Sequence, residues 1–113
     1  LLEGGPPGFF DTRGVGEPAV FRSGDKFYML YVGRDEGERR QIGWAESANG
    51  VDWRKLENAP RLAGNLDWNR ATVCDPEVMV IGDRLYVLFG AGDKAAPDEN
   101  VNGVIGRAVL ISK

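Results

Sequence analysis

The sequence predicts an all-β protein, on three observations. Short apolar runs rich in Val, Phe, Tyr and Leu are bounded by Gly-containing turns. No stretch offers a 3.6-residue apolar period with helix caps at its ends. The chain also repeats itself at a fixed spacing. Glu17-Pro18-Ala19-Val20-Phe21-Arg22-Ser23-Gly24-Asp25-Lys26-Phe27-Tyr28-Met29-Leu30-Tyr31 aligns with Asp75-Pro76-Glu77-Val78-Met79-Val80-Ile81-Gly82-Asp83-Arg84-Leu85-Tyr86-Val87-Leu88-Phe89 at an offset of 58. Ile42-Gly43-Trp44-Ala45 returns as Ile105-Gly106-Arg107-Ala108 at an offset of 63, so the second copy carries about five extra residues in one loop.

Taken in order, each copy reads as consecutive strands. Val20 to Arg22 leads through the turn Ser23-Gly24-Asp25 into Phe27 to Gly33, a hairpin around a Gly-Asp turn. Phe27-Tyr28-Met29-Leu30-Tyr31-Val32 is apolar at every position, so this strand is expected to be covered on both faces. Leu85 to Ala91 repeats it. A third strand is expected from Gln41 to Glu46 and, after the Asn49-Gly50 turn, a fourth from Asp52 to Leu56.

Antiparallel four-stranded meanders, repeated and buried on both faces, point to β-propeller blades rather than to one β-sandwich built from two related hairpins. The expected organisation is a single domain, 1–113, with repeat one over about 14–62 and repeat two over about 72–113. Two blades are fewer than the four to eight that close a propeller, and their free faces would be apolar patches in water. Self-association is therefore expected, with a trimer of two-blade chains, giving six blades, as the first arrangement to test. A piece of a longer propeller, or a few copies docked face to face, are the alternatives.

Composition narrows the function. Fourteen basic residues against 17 acids give a net charge of −3, which argues against a nucleic-acid partner. No apolar run approaches a membrane helix, so no membrane partner is expected. The single cysteine, Cys74, excludes an internal disulfide. Without any histidine, every His-based triad, general base and metal ligand is removed, leaving carboxylates for catalysis. No Gly-rich phosphate loop is found and no cofactor is expected.

Glu17 and Asp75 each precede a proline at the start of the repeat's first strand, where a missing N–H is tolerated. In a blade that strand is innermost, so both acids are expected near the axis at the same end of neighbouring blades. Paired carboxylates of this kind suit glycoside hydrolysis. They equally suit a loop-to-strand corner in which the acid accepts backbone N–H bonds.

The strings Val15-Gly16-Glu17-Pro18-Ala19-Val20, Gly24-Asp25-Lys26-Phe27-Tyr28-Met29-Leu30-Tyr31, Ile42-Gly43-Trp44-Ala45-Glu46-Ser47-Ala48-Asn49-Gly50-Val51-Asp52-Trp53 and Val73-Cys74-Asp75-Pro76-Glu77-Val78 resemble blades of the five-bladed β-propeller glycosidases. That superfamily includes the arabinanase and β-xylosidase group and the levanase and invertase group. The resemblance implies a carbohydrate partner, with Glu17 similar to the general-acid glutamate and Asp75 to the Asp-Pro carboxylate that tunes the acid and holds substrate. The family's third carboxylate has no counterpart here, and Glu before Asp departs from the common order.

Asp11 and Arg13, beside Phe10, and Asp67, Trp68 and Arg70 lie just ahead of the two acid-Pro corners. They are candidate substrate-binding residues at the channel mouth, where an aromatic ring and polar groups suit a sugar. Arg–carboxylate pairs stapling the loops are the other reading. Trp44 and Trp53 are expected to pack between blades. Ser47-x-Asn49-Gly50-x-x-Trp53 resembles a sialidase-type Asp box one residue short, a structural turn. Asp93, Asp98, Glu99 and Asn100 match no calcium-loop spacing, so no metal is expected. Cys74 is expected to be a small buried filler. Alternatives to an enzyme are a lectin-like binding module and an assembly module derived from a propeller fragment. Compartment is not readable from the sequence.

Overall fold

A computed structural model describes residues 2–95 and 103–110. Among the described residues are seven strands and no helix: β1 (Gly14–Ser23), β2 (Lys26–Arg34), β3 (Arg40–Ser47), β4 (Arg54–Lys55), β5 (Thr72–Ile81), β6 (Arg84–Gly92) and β7 (Val104–Leu110). β1 to β4 form one antiparallel meander and β5 to β7 a second. A single parallel bridge, Arg40 to Thr72, links them into one open sheet. These are the two blades, with three strands of the second among the described residues.

Both hairpins turn where the repeat places them, at Gly24-Asp25 and Gly82-Asp83. Gly24 and Gly82 take φ of 63° and 62°, a left-handed conformation that glycine adopts without a Cβ clash. The fourth strand is shorter than expected, two residues instead of Asp52 to Leu56. The chain still runs along β3 beyond it: Leu56 N–H donates to the Trp44 carbonyl, and Leu62 bridges Ile42. Pro60, which has no N–H to give the ladder, lies in the interruption between them.

The expectation of a doubly covered β2 is met. Leu30 and Val32 point to one side and Tyr31 to the other, and all three are buried. Leu30, Val32 and Ile42 of blade one pack against Val73, Cys74, Val87, Phe89 and Ala91 of blade two, and this inter-blade layer is the main core. Burial of each large apolar side chain there contributes about 1.5–3 kcal/mol. Trp44 borders that layer. Trp53 does not: it packs on the opposite face of blade one with Phe10, Tyr31 and Ala45.

A lead-in segment precedes each blade and lays an aromatic ring on it. Phe10 stacks on Tyr31 at 6.1 Å over Gly43, and Trp68 stacks on Phe89 at 6.3 Å over Gly106. A Cβ on Gly43 would sit 2.6 Å from the Phe10 ring, and one on Gly106 would sit 2.6 Å from the Phe89 ring. Only glycine lets the rings seat this closely.

Candidate functional site

The site begins with a defect built into each first strand. In β1 the ladder skips between Gly16 and Ala19, so Glu17 and Pro18 together oppose Tyr31 of β2. In β5 it skips between Cys74 and Glu77, so Asp75 and Pro76 oppose Phe89 of β6. Proline cannot donate to the ladder and bulges are where a strand accepts it. Glu17 and Asp75 take φ of 50° and 48°. A residue before proline favours extended backbone, and a left-handed non-glycine residue costs about 1–2 kcal/mol. Both copies hold the same strain, and each aims its acid out of the ladder.

Packing of the blades then brings the two corners together. The Asp75 N–H donates to Glu17 Oε2 at 2.9 Å across 58 residues of sequence. The Cys74 thiol lies 3.6 Å from Asp75 Oδ2. Cys74 is fully buried, Glu17 half-buried and Asp75 exposed. One carboxylate oxygen of each acid and the Cys74 sulfur lie within 4.8 Å of one another, a mixed set of two hard donors and one soft one.

Two clefts flank the pair. On one side Glu17 shares a cleft of about 200 Å³ with Arg13, Arg34, Arg40 and Val32, so one carboxylate faces a strongly basic wall. Arg34 is engaged by Glu38 at 3.4 Å, Arg40 is buried, and Arg13 is exposed. On the other side Asp75 and Glu77 border a cleft of about 470 Å³ whose floor is Leu88, Phe89, Val104 and Ile105.

The remaining sequence candidates are spread out. Asp11 is 1 % exposed, and its carboxylate accepts from Gly5 N–H at 3.1 Å, the Tyr31 hydroxyl at 3.4 Å and Lys55 Nζ at 2.6 Å. It ties the lead-in segment to β2 and β4 rather than facing a cleft, and its basic partner is Lys55 rather than Arg13. Burial, then the nearby Asp11 charge and the hydrogen bond to it, push the Tyr31 hydroxyl well above its ordinary range. Asp67 and Arg70 are exposed on the second lead-in segment, and Trp68 backs Phe89 beneath the Asp75 cleft. Arg13 thus joins Glu17, Trp68 reaches the Asp75 side through Phe89, and Asp67 and Arg70 are not drawn into either cleft.

Some positions escape a reading by residue type. Carrying the 58-residue offset backward pairs Phe10 with Trp68 and Asp11 with Asn69. Asn69 is buried like Asp11, and its side chain likewise accepts a lead-in backbone N–H, that of Leu66 at 2.9 Å. Tyr31 and the paired glycines are visible only as positions of the repeat, and Lys55 carries no signal of its own in the sequence.

The Asp-box-like string forms a local turn. Ser47 Oγ accepts from the N–H groups of Asn49 and Gly50, while Asn49 Oδ1 accepts from those of Val51 and Asp52. Asp98, Glu99 and Asn100 lie outside the described residues.

No protein-family model and no curated protein matches the chain. Solved structures do. BT0996, solved in a complex with RGII, superposes with a TM-score of 0.70 at 23% identity, over 88% of this chain and 33% of its own. A glycoside hydrolase gives 0.69 at 24% identity, over 88% and 33%. The family 43 endo-arabinanase of Bacillus licheniformis gives 0.58 at 14% identity, over 97% and 35%. The chain spans about a third of the length of these proteins. Its fold is that of the β-propeller glycoside hydrolases, present as two adjoining blades.

Proposed function

We propose that this chain is a glycosidase-like propeller protein acting on a carbohydrate at the end of the blade pair where Glu17 and Asp75 meet. The observation that carries the reading is the duplicated corner: two acids before proline, both in left-handed backbone, with one accepting a hydrogen bond from the other's N–H. Strain repeated at corresponding positions marks a place where side-chain direction matters more than local stability. In this reading Glu17 delivers a proton to the leaving glycosidic oxygen, and Asp75 holds substrate hydroxyls and sets the electrostatics around the acid. Arg13, at the rim of the basic cleft, orients the glycan. Asp11 acts only through Tyr31 and Lys55, holding the lead-in segment in place, and Trp68 supports the floor on the Asp75 side.

Hydrolysis needs a further carboxylate as base or nucleophile. We propose that it comes from a further copy of the chain. Within one chain, the blade-one acid receives the N–H of the blade-two acid. A second copy docked head to tail on the open face of blade two would bring its Glu17 beside Asp75 in the same relation. The exposed apolar floor of the Asp75 cleft favours such a partner, and three copies would make six blades.

The decisive experiment compares wild type with Glu17→Gln on neutral plant and fructan oligosaccharides. The expected result is loss of hydrolysis by at least about 100-fold with binding retained, the signature of a missing general acid. Binding without hydrolysis in the wild type would leave a lectin-like module instead. Sedimentation at micromolar concentration tests the assembly, and a stable monomer there would refute it.

A further inference from the structure

We propose that a second cleft at the same end of blade one is a subsite for an uncharged, hydroxyl-rich sugar unit, anchored by the Gln41 side-chain amide. The inference rests on the proposed carbohydrate function and deepens it. The cleft has a volume of about 640 Å³ and opens between the lead-in segment, the β2–β3 turn and the link that comes after β4. That size lies within the range of small-molecule sites.

Gln41 is 6 % exposed and lines this cleft, and its side-chain amide makes no hydrogen bond among the described residues. An amide offers two donors and an acceptor, and here they face the cleft rather than a protein partner. A residue selected for packing alone would be apolar at this position. In blade two it is: Val104 stands 63 residues later, at the corresponding place in β7. The unpaired amide is thus a feature of one blade and not of the repeat.

The surrounding groups define the ligand's chemistry. Phe9 and Phe10 supply aromatic surface for the C–H face of a sugar ring, while Thr12 and Asn58 add short polar groups at the rim. Asp35 and Glu36 border the opening, and no lysine or arginine is among the described lining residues. Asp35 Oδ1 accepts from the N–H groups of Gly37 and Arg39, at 2.9 and 3.0 Å, which holds the carboxylate at the opening, where it contributes negative potential. Anionic sugars are repelled there and neutral ones admitted. The subsite lies on the other face of blade one from the Glu17 cleft: Gln41 follows Arg40 in β3 and points to the opposite side of the sheet, the side on which Phe10 covers Tyr31, whereas Val32 and Arg40 line the Glu17 cleft.

The test measures binding of neutral trisaccharides derived from arabinan, xylan and fructan, and of a trigalacturonate, by calorimetric titration. Wild type is expected to prefer a neutral trisaccharide, and Gln41→Leu to weaken it at least about tenfold. Without ligand, Gln41→Leu is expected to keep a melting temperature close to that of wild type, since the amide faces the cleft and bonds no protein group. Unchanged affinity in Gln41→Leu, or preference for trigalacturonate, would overturn the subsite and leave the carbohydrate reading standing. Absence of binding to every glycan by wild type would overturn that reading, and the subsite with it. A lowered melting temperature in Gln41→Leu would contradict the unpaired amide. Phe9→Ala then carries the binding test on its own, with lost affinity in support and retained affinity against.

Discussion

Ile42 and Ile105 occupy the same place in successive blades, yet the first is fully buried and the second is 82 % exposed. Their strands carry the same pattern, Ile-Gly-x-Ala, and the same glycine beneath an aromatic ring. The difference lies wholly in their neighbours. Next to blade one stands a second blade whose Val73, Val87 and Phe89 cover Ile42, and Ile105 faces open space beside Asp75. A strand sequence therefore specifies a face ready for burial, and the adjoining blade decides whether that face becomes core. Ile105 keeps such a face exposed.

The comparison can be broken most sharply at those two residues. Ile42→Asp puts a charge into the inter-blade layer and is expected to cost at least about 4 kcal/mol, enough to unfold the chain in a denaturant titration. Ile105→Asp is expected to change the stability of a single chain by less than about 0.5 kcal/mol, while abolishing self-association in sedimentation. Equal destabilisation by both would mean that the outer face is already covered in solution. A second pair of substitutions compares the ring seats. Gly43→Ala meets Phe10 and Tyr31, both buried, whereas Gly106→Ala meets Phe89 and Trp68, and Trp68 is 40 % exposed and has room to give way. Both should destabilise, by about 1–3 kcal/mol, with Gly43→Ala the more costly. Matching midpoints would show that the two seats are equally confined.

The smallest expected effect concerns Tyr31 and its blade-two counterpart Phe89. The Tyr31 hydroxyl titrates above its ordinary value of 10.0 because of burial and the adjacent Asp11. Its contribution to stability is complete below that value and is lost as pH rises beyond it, because the unfolded chain then releases the proton first. Tyr31→Phe makes blade one resemble blade two at this point. Urea midpoints between about pH 8 and pH 11 should fall for wild type and fall less for Tyr31→Phe. Parallel curves would show that the hydroxyl plays no part in the alkaline response.

The same contrast between blades governs how far the sequence can be read. Pro18 and Pro76, Gly24 and Gly82, Tyr28 and Tyr86 are fixed by local backbone geometry or by a ladder neighbour, so they recur visibly and reveal the blades. The lead-in segments are less legible. Matching by residue type sets Asp11 against Asp67, but the fold sets it against Asn69, because a buried acceptor of lead-in N–H groups can be either a carboxylate or an amide. The constant offset held that answer, and residue chemistry obscured it. The meeting of Glu17 with Asp75 was legible as a consequence of propeller geometry. The unpaired Gln41 was not, since its isolation depends on what the neighbouring loops fail to offer.

The seated aromatic rings have a consequence for how such a molecule grows. Each unit of about 58 residues brings its own wedge, Phe10 or Trp68, and its own notch, Gly43 or Gly106, to receive it. A tandem duplication thus arrives with its spacer attached and needs no new fitting against its predecessor. Wheels of different sizes become a matter of copy number, with each added sector keyed before it is ever joined.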